Sequence, residues 1–199
     1  MDLLETMGGY RRVASWAVWE TDDVGALTGS MPFPQEQATP VVHGRAMFVS
    51  LNPGSDRAAE TADATPDWAN FHSPKPIHND RFLAYATIGT PFWGSYMADL
   101  HPEIAESDSR LISSRREDIE LKVRALISQA ALLGDVETIV AVGGASYESV
   151  AQHTELIERE TGVPRERIIR IPHYSQAAAR VHGRNADRYR ALVHEALGL

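Results

Sequence analysis

The sequence predicts an α/β protein built around a parallel sheet. Short apolar segments without charged residues alternate with amphipathic segments, and each apolar segment ends in a polar or glycine-rich turn. This alternation is typical of βαβ units. A length of 199 residues without internal repeats fits one domain. We therefore expect a single domain over residues 1–199, in which residues 1–40 form an N-terminal lead-in and loop.

The clearest apolar segment runs from Ala46 to Leu51 and stops at Asn-Pro-Gly, residues 52–54. Such a short run before a breaker predicts a strand that is buried on both faces. An asparagine before proline is kept out of the helical region, and Gly54 permits an open turn. Ligands of open α/β sheets bind at the carboxyl ends of strands, which places Asn52 at the mouth of the main crevice. The alternative is an ordinary turn that ends a strand.

The other elements are predicted with less detail. Leu3 to Arg12 forms a short helix, and Val13 to Trp19 is either a strand or the end of that helix. Thr21 to Pro40 is a loop that covers the sheet or is disordered. Ser113 to Leu133 is the clearest helix, because its apolar residues recur at helical spacing. The remaining elements are one or two helical turns at 56–68, helices at 81–87, 145–161 and 185–197, and strands at 91–100, 138–143 and 167–171.

Charge and composition exclude several classes of protein. A net charge of −8 argues against a strongly basic nucleic-acid binder. Between Val163 and Arg190, however, seven arginines face only Glu166 and Asp187, which indicates either a basic face or a solvated helix. The absence of cysteine excludes disulfides and iron–sulfur clusters. The sequence begins acidic and has no apolar run of membrane-spanning length, so we expect a cytoplasmic protein without membrane contact.

Metal and cofactor motifs are weak. His72, His78 and Asp80 share one loop, but their spacing matches no recognised metal-ligand geometry. Gly143 and Gly144 lack the rest of a phosphate-binding motif. We therefore expect no metal and no cofactor.

Three predicted strands end at or just before a polar side chain. These side chains are Asn52, Asp99 and His173. If the strands are parallel and adjacent, the three side chains converge at one edge of the sheet.

Two of these residues belong to motifs that resemble the uracil-DNA glycosylase superfamily. The motifs are Leu-Asn-Pro-Gly at 51–54 and Pro-His-Tyr-Ser at 172–175, and the first is similar to the mismatch-specific and single-strand-selective branches. The second motif is commonly His-Pro-Ser in that superfamily, and Tyr174 replaces its proline. The strand and turn at 139–145 also resemble the superfamily's penultimate strand. Asp99 occupies the place of its base-reading asparagine.

The resemblance implies a three-layer α/β/α fold with a central, mostly parallel four-stranded sheet. It also implies cleavage of an N-glycosidic bond after a base has been flipped into a pocket. Asn52 would position the attacking water, and the lack of a carboxylate base there predicts a slow enzyme. His173 would donate a hydrogen bond to the leaving base. Pro53, Gly54 and Ser175 would complete the substrate site.

Two further candidates have open alternatives. An ionised aspartate only accepts hydrogen bonds, so Asp99 would suit a base that presents two donors, or it faces away and caps a helix. Phe71 is placed where an aromatic ring would stack on a flipped base. The alternative is that Phe71 is an apolar plug beneath its loop.

Contacts to nucleic acid are assigned to Lys75, Arg180, Arg184 and Arg188. The three arginines recur at intervals of four, which places them on one helical face if that segment is helical throughout.

The leading hypothesis is a monomeric nucleobase glycosylase that acts on damaged or modified nucleic acid, with DNA favoured over RNA. One alternative is a non-catalytic relative that binds nucleic acid, or a free nucleobase or nucleotide, with the same pocket. Another is a different small-molecule hydrolase or transferase on this scaffold. The acidic net charge and Asp99 favour the alternatives, whereas Asn52 and His173 favour the glycosylase.

Overall fold

The computed structural model describes residues 2–53, 66–104, 111–112 and 115–199, and this part of the chain forms an α/β fold. A five-stranded mixed sheet has the strand order β1-β3-β2-β4-β5. Strand β2 pairs in parallel with β3 and β4, and β4 pairs in parallel with β5. The strands are β1 (Ala14–Trp16), β2 (His43–Ser50), β3 (Ser95–Asp99), β4 (Thr138–Val142) and β5 (Ile168–Ile171).

The sheet differs from the predicted four strands by the additional strand β1. This strand is the segment that the sequence left open between strand and helix end. It runs antiparallel to β3, with Ala14 opposite Ala98 and Trp16 opposite Tyr96. All residues of β1 are buried, and the pairing covers the backbone groups that β3 would otherwise expose at the edge of the sheet. The prediction of four strands is therefore wrong, and the sheet is mixed.

The structure confirms the helices predicted at 81–87 and 185–197 and most of the helix predicted at 113–133. The helix predicted at 3–12 ends at Thr6, and residues 56–65 of the helical turns predicted at 56–68 lie outside the described residues. The helix predicted at 145–161 is instead two helices, because the chain leaves the helical conformation at His153 (φ −126°). No glycine or proline in the sequence marks that break. The loop at 21–40 contains a short helix and covers the core, since Met31 and Ala38 are buried. The helices are α1 (Leu3–Thr6), α2 (Gln35–Ala38), α3 (Asp80–Thr87), α4 (Arg116–Leu133), α5 (Gly144–Ala151), α6 (Thr154–Thr161), α7 (Ala179–His182) and α8 (Ala186–Leu197).

Two hydrophobic clusters lie on opposite faces of the sheet. Successive side chains of a strand point to opposite faces, and in β2 Met47 and Val49 join one cluster while Phe48 joins the other. Apolar residues of α4, α5 and α6 belong to the first cluster, and those of α3 and α8 belong to the second. Because each fully buried side chain of this size stabilises the fold by about 1.5–3 kcal/mol, both faces of the sheet contribute to the core.

The parallel strands β2, β3, β4 and β5 all end at the same edge of the sheet. We call it the carboxyl edge. It is the edge at which ligands bind in open α/β folds.

Candidate functional site

The carboxyl edge carries Asn52, Asp99 and His173, each at or just beyond the end of a parallel strand. Ser50 and Asp99 lie opposite each other in neighbouring strands. The pairing of these two strands continues past their ends, because the Leu100 N–H donates to the Ser50 carbonyl oxygen (2.9 Å). His173 lies two residues beyond the last residue of β5.

The side chain of Asn52 is half-buried and has a fixed orientation. Its Nδ2 donates to the carbonyl oxygens of Pro53 (2.8 Å) and Ile104 (3.0 Å). Since both N–H bonds of the amide point to backbone carbonyls, Asn52 would contact a ligand through Oδ1, which only accepts hydrogen bonds. Pro53 is buried beside it. The predicted site residue Gly54 lies outside the described residues.

The carboxylate of Asp99 is buried at the end of β3 and is held by Asn70. Asn70 Nδ2 donates to Asp99 Oδ2 (2.8 Å) and to the Val13 carbonyl oxygen (3.0 Å). The two bonds fix the amide orientation, because both acceptors require the nitrogen. Asp99 therefore acts as an acceptor within a strand and does not lie at a helix end.

The segment 70–80, which we call the bridging segment, connects the Asp99 end of the carboxyl edge with the His173 end, in the loop after β5. Asn70 at its start holds Asp99, and Asn79 near its end donates through Nδ2 to the Tyr174 carbonyl oxygen (3.1 Å). Gln176 adds a second link, because its backbone N–H donates to the Ile77 carbonyl oxygen (3.2 Å). Neither asparagine was a predicted site residue. The density of polar side chains in this loop was the only sequence signal for them.

Phe71 in the bridging segment is buried in the core. It is 7% exposed and joins the cluster on the α3 and α8 face of the sheet. Its backbone is left-handed (φ 63°), which is rare for an aromatic residue and is maintained only where surrounding packing enforces it. This position matches the interpretation of Phe71 as an apolar plug, and its stacking role stays a prediction.

His173 is held in one protonation state and one tautomer. Burial lowers its pKa to about 4, and the nearby charge of His182 acts in the same direction, so the ring is neutral at pH 7. The Ser175 N–H donates to His173 Nδ1 (3.0 Å). An Nδ1 that accepts a hydrogen bond leaves the proton on Nε2, so His173 presents an Nε2–H donor. Ser175 thus enters the site through its backbone.

Glycine at 143 allows the His173 ring to lie against the end of β4. A Cβ at this position would lie 3.3 Å from both Cβ and Cδ2 of His173, and the residue has a φ of 90°. Beside the ring is an open cavity of about 310 Å³. Neither Asn52 nor Asp99 is among the described residues that line it. The lining residues are Gly143, Gly144, Arg170, Pro172, His173, Ala178, Val181 and Leu192.

Tyr174 lies close both to His173 and to the carboxyl groups of Asp80 and Asp99. Burial raises the pKa of its hydroxyl well above the ordinary value, and the neighbouring carboxylates of Asp80 and Asp99 raise it further. The hydroxyl therefore stays protonated and is able to donate a hydrogen bond. The Tyr174 ring also lies 4.8 Å from the His173 ring. The only sequence signal for Tyr174 was its position in place of the motif's proline.

The arginines assigned to nucleic acid do not share one helical face. Helix α7 ends at His182, Arg184 has a left-handed backbone (φ 57°), and α8 begins only at Ala186. The condition for one continuous face, a segment that is helical throughout, is therefore not met. Arg180, Arg184 and Arg188 are nevertheless exposed, as is Lys75.

The described residues contain no group of three histidine or acidic side chains that could hold a metal ion. His72 instead lies within hydrogen-bond distance of the carbonyl oxygens of Met31 (3.1 Å) and Trp16 (3.3 Å). In the same part of the chain, no helix combines the length and apolar character that a membrane span requires.

Comparison with known proteins does not assign the chain to a family. No protein-family model matches the sequence, and a search of curated proteins found no match. A functional hypothesis therefore depends on the geometry of the carboxyl edge and on the motifs that lie there.

Proposed function

We propose that the chain is a nucleobase N-glycosylase of the uracil-DNA glycosylase type, which cleaves or binds a flipped base in damaged or modified nucleic acid. The observation that carries this proposal is the hydrogen bond from the Ser175 N–H to His173 Nδ1 (3.0 Å), which leaves the proton on Nε2, at the same carboxyl edge that carries Asn52. The two hydrophobic clusters on opposite faces of the sheet support the three-layer α/β/α arrangement of that superfamily.

The proposed reaction breaks the bond between the sugar carbon C1′ and the base nitrogen. The electron pair of this bond leaves with the base, and the oxygen of a water molecule forms the new bond to C1′. The water releases its proton to solvent, from which the departing base anion is protonated. The Nε2–H of His173 donates to the base oxygen on which negative charge develops, which stabilises the transition state. Asn52 Oδ1 accepts a hydrogen bond from the attacking water. An amide takes no proton from water, so the reaction is slow.

Asp99 and Tyr174 support a base other than uracil. Asp99 accepts hydrogen bonds, and the protonated Tyr174 hydroxyl is a donor in its neighbourhood. A base that presents an amino or imino N–H to Asp99 fits this arrangement. A carbonyl oxygen facing the carboxylate would instead be repelled. The substrate class is therefore a nucleobase with donors on the edge that Asp99 contacts.

A non-catalytic binding protein is the second candidate. It is favoured by the cavity beside His173, because Asn52 is not among the described residues that line this cavity. His173 could therefore contact a base or nucleotide without a water molecule positioned for attack. In that case the chain would bind its ligand and leave the glycosidic bond intact.

The proposal is tested by single-turnover release of bases from a panel of modified bases in single-stranded and double-stranded DNA and RNA. His173→Ala should slow release by roughly 10²–10³, about 3 kcal/mol, because its hydrogen bond strengthens only in the transition state. Asn52→Ala should be comparably damaging. Asn52→Asp should release base faster than Asn52→Ala, because a carboxylate is able to accept the proton of water, although it loses both donations to the Pro53 and Ile104 carbonyl oxygens.

His194→Ala is the matched control for these variants. His194 lies on α8, and its Nε2 contacts the Ala86 carbonyl oxygen (2.9 Å). It should release base at the wild-type rate. If His173→Ala and Asn52→Ala also react at that rate, the proposed site is wrong. If the wild type releases no base from any substrate, the binding-protein candidate replaces the enzyme.

A further inference from the structure

Asn79 occupies the N-cap position of α3 but does not cap that helix. An asparagine at this position normally has an extended backbone and accepts a hydrogen bond from the first turn. Asn79 has instead a left-handed backbone (φ 57°), and it makes no side-chain capping bond to α3, all of which lies in the described part of the chain. The residue is buried (6% exposed), and its amide donates to the Tyr174 carbonyl oxygen (3.1 Å).

That carbonyl belongs to the peptide group that determines the His173 tautomer. The C=O of Tyr174 and the N–H of Ser175 are parts of one planar unit and point in opposite directions. Asn79 holds the C=O, and the N–H therefore points to His173 Nδ1 (3.0 Å). If this peptide group turned over, a carbonyl oxygen would face Nδ1. The ring would then carry its proton on Nδ1, and Nε2 would no longer donate.

We infer that Asn79 is a positioning residue for His173: it holds the Tyr174–Ser175 peptide so that His173 keeps its proton on Nε2. This role rests on the proposed function, in which the Nε2–H contacts the leaving base. His182 supports the same loop one residue further on, because its Nε2–H donates to the Ser175 carbonyl oxygen (3.2 Å). Asn79 differs from His182 in that it acts on the same peptide group that contacts His173.

The inference is tested with Asn79→Gly and Asn79→Asp. Glycine adopts the left-handed backbone without strain and removes the side chain whose amide donates to the Tyr174 carbonyl oxygen. Aspartate keeps the shape of the side chain but replaces the N–H donor with an oxygen, which repels the Tyr174 carbonyl. The measurement is the nitrogen NMR spectrum of the His173 ring in uniformly labelled protein. In the wild type, Nε2 should be protonated and Nδ1 should not. In both variants the fraction protonated at Nδ1 should rise.

Asn185→Gly is the matched control, because Asn185 is also an N-cap asparagine. Its side chain accepts from the Arg188 N–H at the start of α8, which is an ordinary capping bond. This variant should leave the His173 spectrum unchanged. A wild-type spectrum with the proton on Nδ1, or Asn79 variants that keep the wild-type spectrum, would overturn the inference. If one variant fails to fold, the other variant and the wild-type spectrum still decide the question.

Base release supplies the second readout. Asn79→Gly should lower kcat by roughly tenfold to a hundredfold, because a misplaced catalytic donor costs about that much. KM should change little, since the His173 bond contributes mainly in the transition state. The spectrum needs no substrate, which separates the two proposals. An inactive wild type would refute the glycosylase, whereas a shifted tautomer in the Asn79 variants would still support the positioning role.

Discussion

Asn70 and Asn79 lie at opposite ends of the bridging segment and hold opposite ends of the candidate site by different hydrogen bonds. Asn70 donates to the carboxylate of Asp99, on an interior strand of the sheet. Asn79 donates to the backbone carbonyl of Tyr174, in the loop after the edge strand β5. The first bond holds a buried carboxyl group, and the second sets the orientation of a peptide. The Asn70 bond should therefore contribute more to folding stability than the Asn79 bond, which should mainly set the geometry at His173.

The largest effect on stability is expected at Tyr189, which packs in the core beneath the loop that contains His173. Tyr189 is fully buried in α8, and its hydroxyl donates to the Pro172 carbonyl oxygen (3.1 Å). Tyr189→Ala should lower the free energy of unfolding by about 3–5 kcal/mol, because it leaves a cavity beneath the loop. Tyr189→Phe, which loses only the hydroxyl, should cost about 1 kcal/mol. Urea unfolding measures both values, and equal losses in the two variants would show that the ring does not support this end.

A medium effect should separate the two asparagines directly. Asn70→Ala should cost about 2–3 kcal/mol, because it leaves the Asp99 carboxylate without one of its donors. Asn79→Gly should cost only about 1 kcal/mol, since a neutral hydrogen bond is lost and glycine suits the left-handed backbone. The comparison uses urea unfolding of both variants in the same buffer. A larger loss in Asn79→Gly than in Asn70→Ala would reverse the assignment of roles.

The remaining effect is expected in the pH dependence of stability. The pKa of His173 is about 4 in the folded protein against an ordinary value of 6.5, because its ring is desolvated. Between these pH values the unfolded chain binds more protons, so the free energy of unfolding should fall as pH is lowered from 6.5 to about 4. In His173→Gln the fall should be shallower. It should not vanish, because burial also lowers the pKa values of His43, His101 and His153. An unchanged slope in His173→Gln would contradict the lowered pKa.

Local patterns in the sequence predict most of the regular elements, because those elements carry their own physical signals. Strand β2 follows from an uncharged apolar run that ends at proline and glycine, and α8 follows from an amphipathic repeat between Asn185 and Gly198. The placement of Asn52, Asp99 and His173 at one edge follows from the βαβ order, since parallel strands end on the same side. The break at His153 could not be predicted, because no residue there disfavours a helix strongly.

The pairings that complete the candidate site depend on contacts between distant parts of the chain. An asparagine directly before a helical segment predicts a cap, yet the Asn79 side chain bonds a carbonyl 95 residues further along the chain. Contacts between distant parts of the chain also produce the pairing of the antiparallel strand β1, the Asn70–Asp99 bond and the carboxyl groups around Tyr174. Helical and strand periodicity is encoded by neighbours in sequence, and it specifies which residues reach the carboxyl edge. Which of those residues bond one another is decided only when packing brings the bridging segment against the loop after β5.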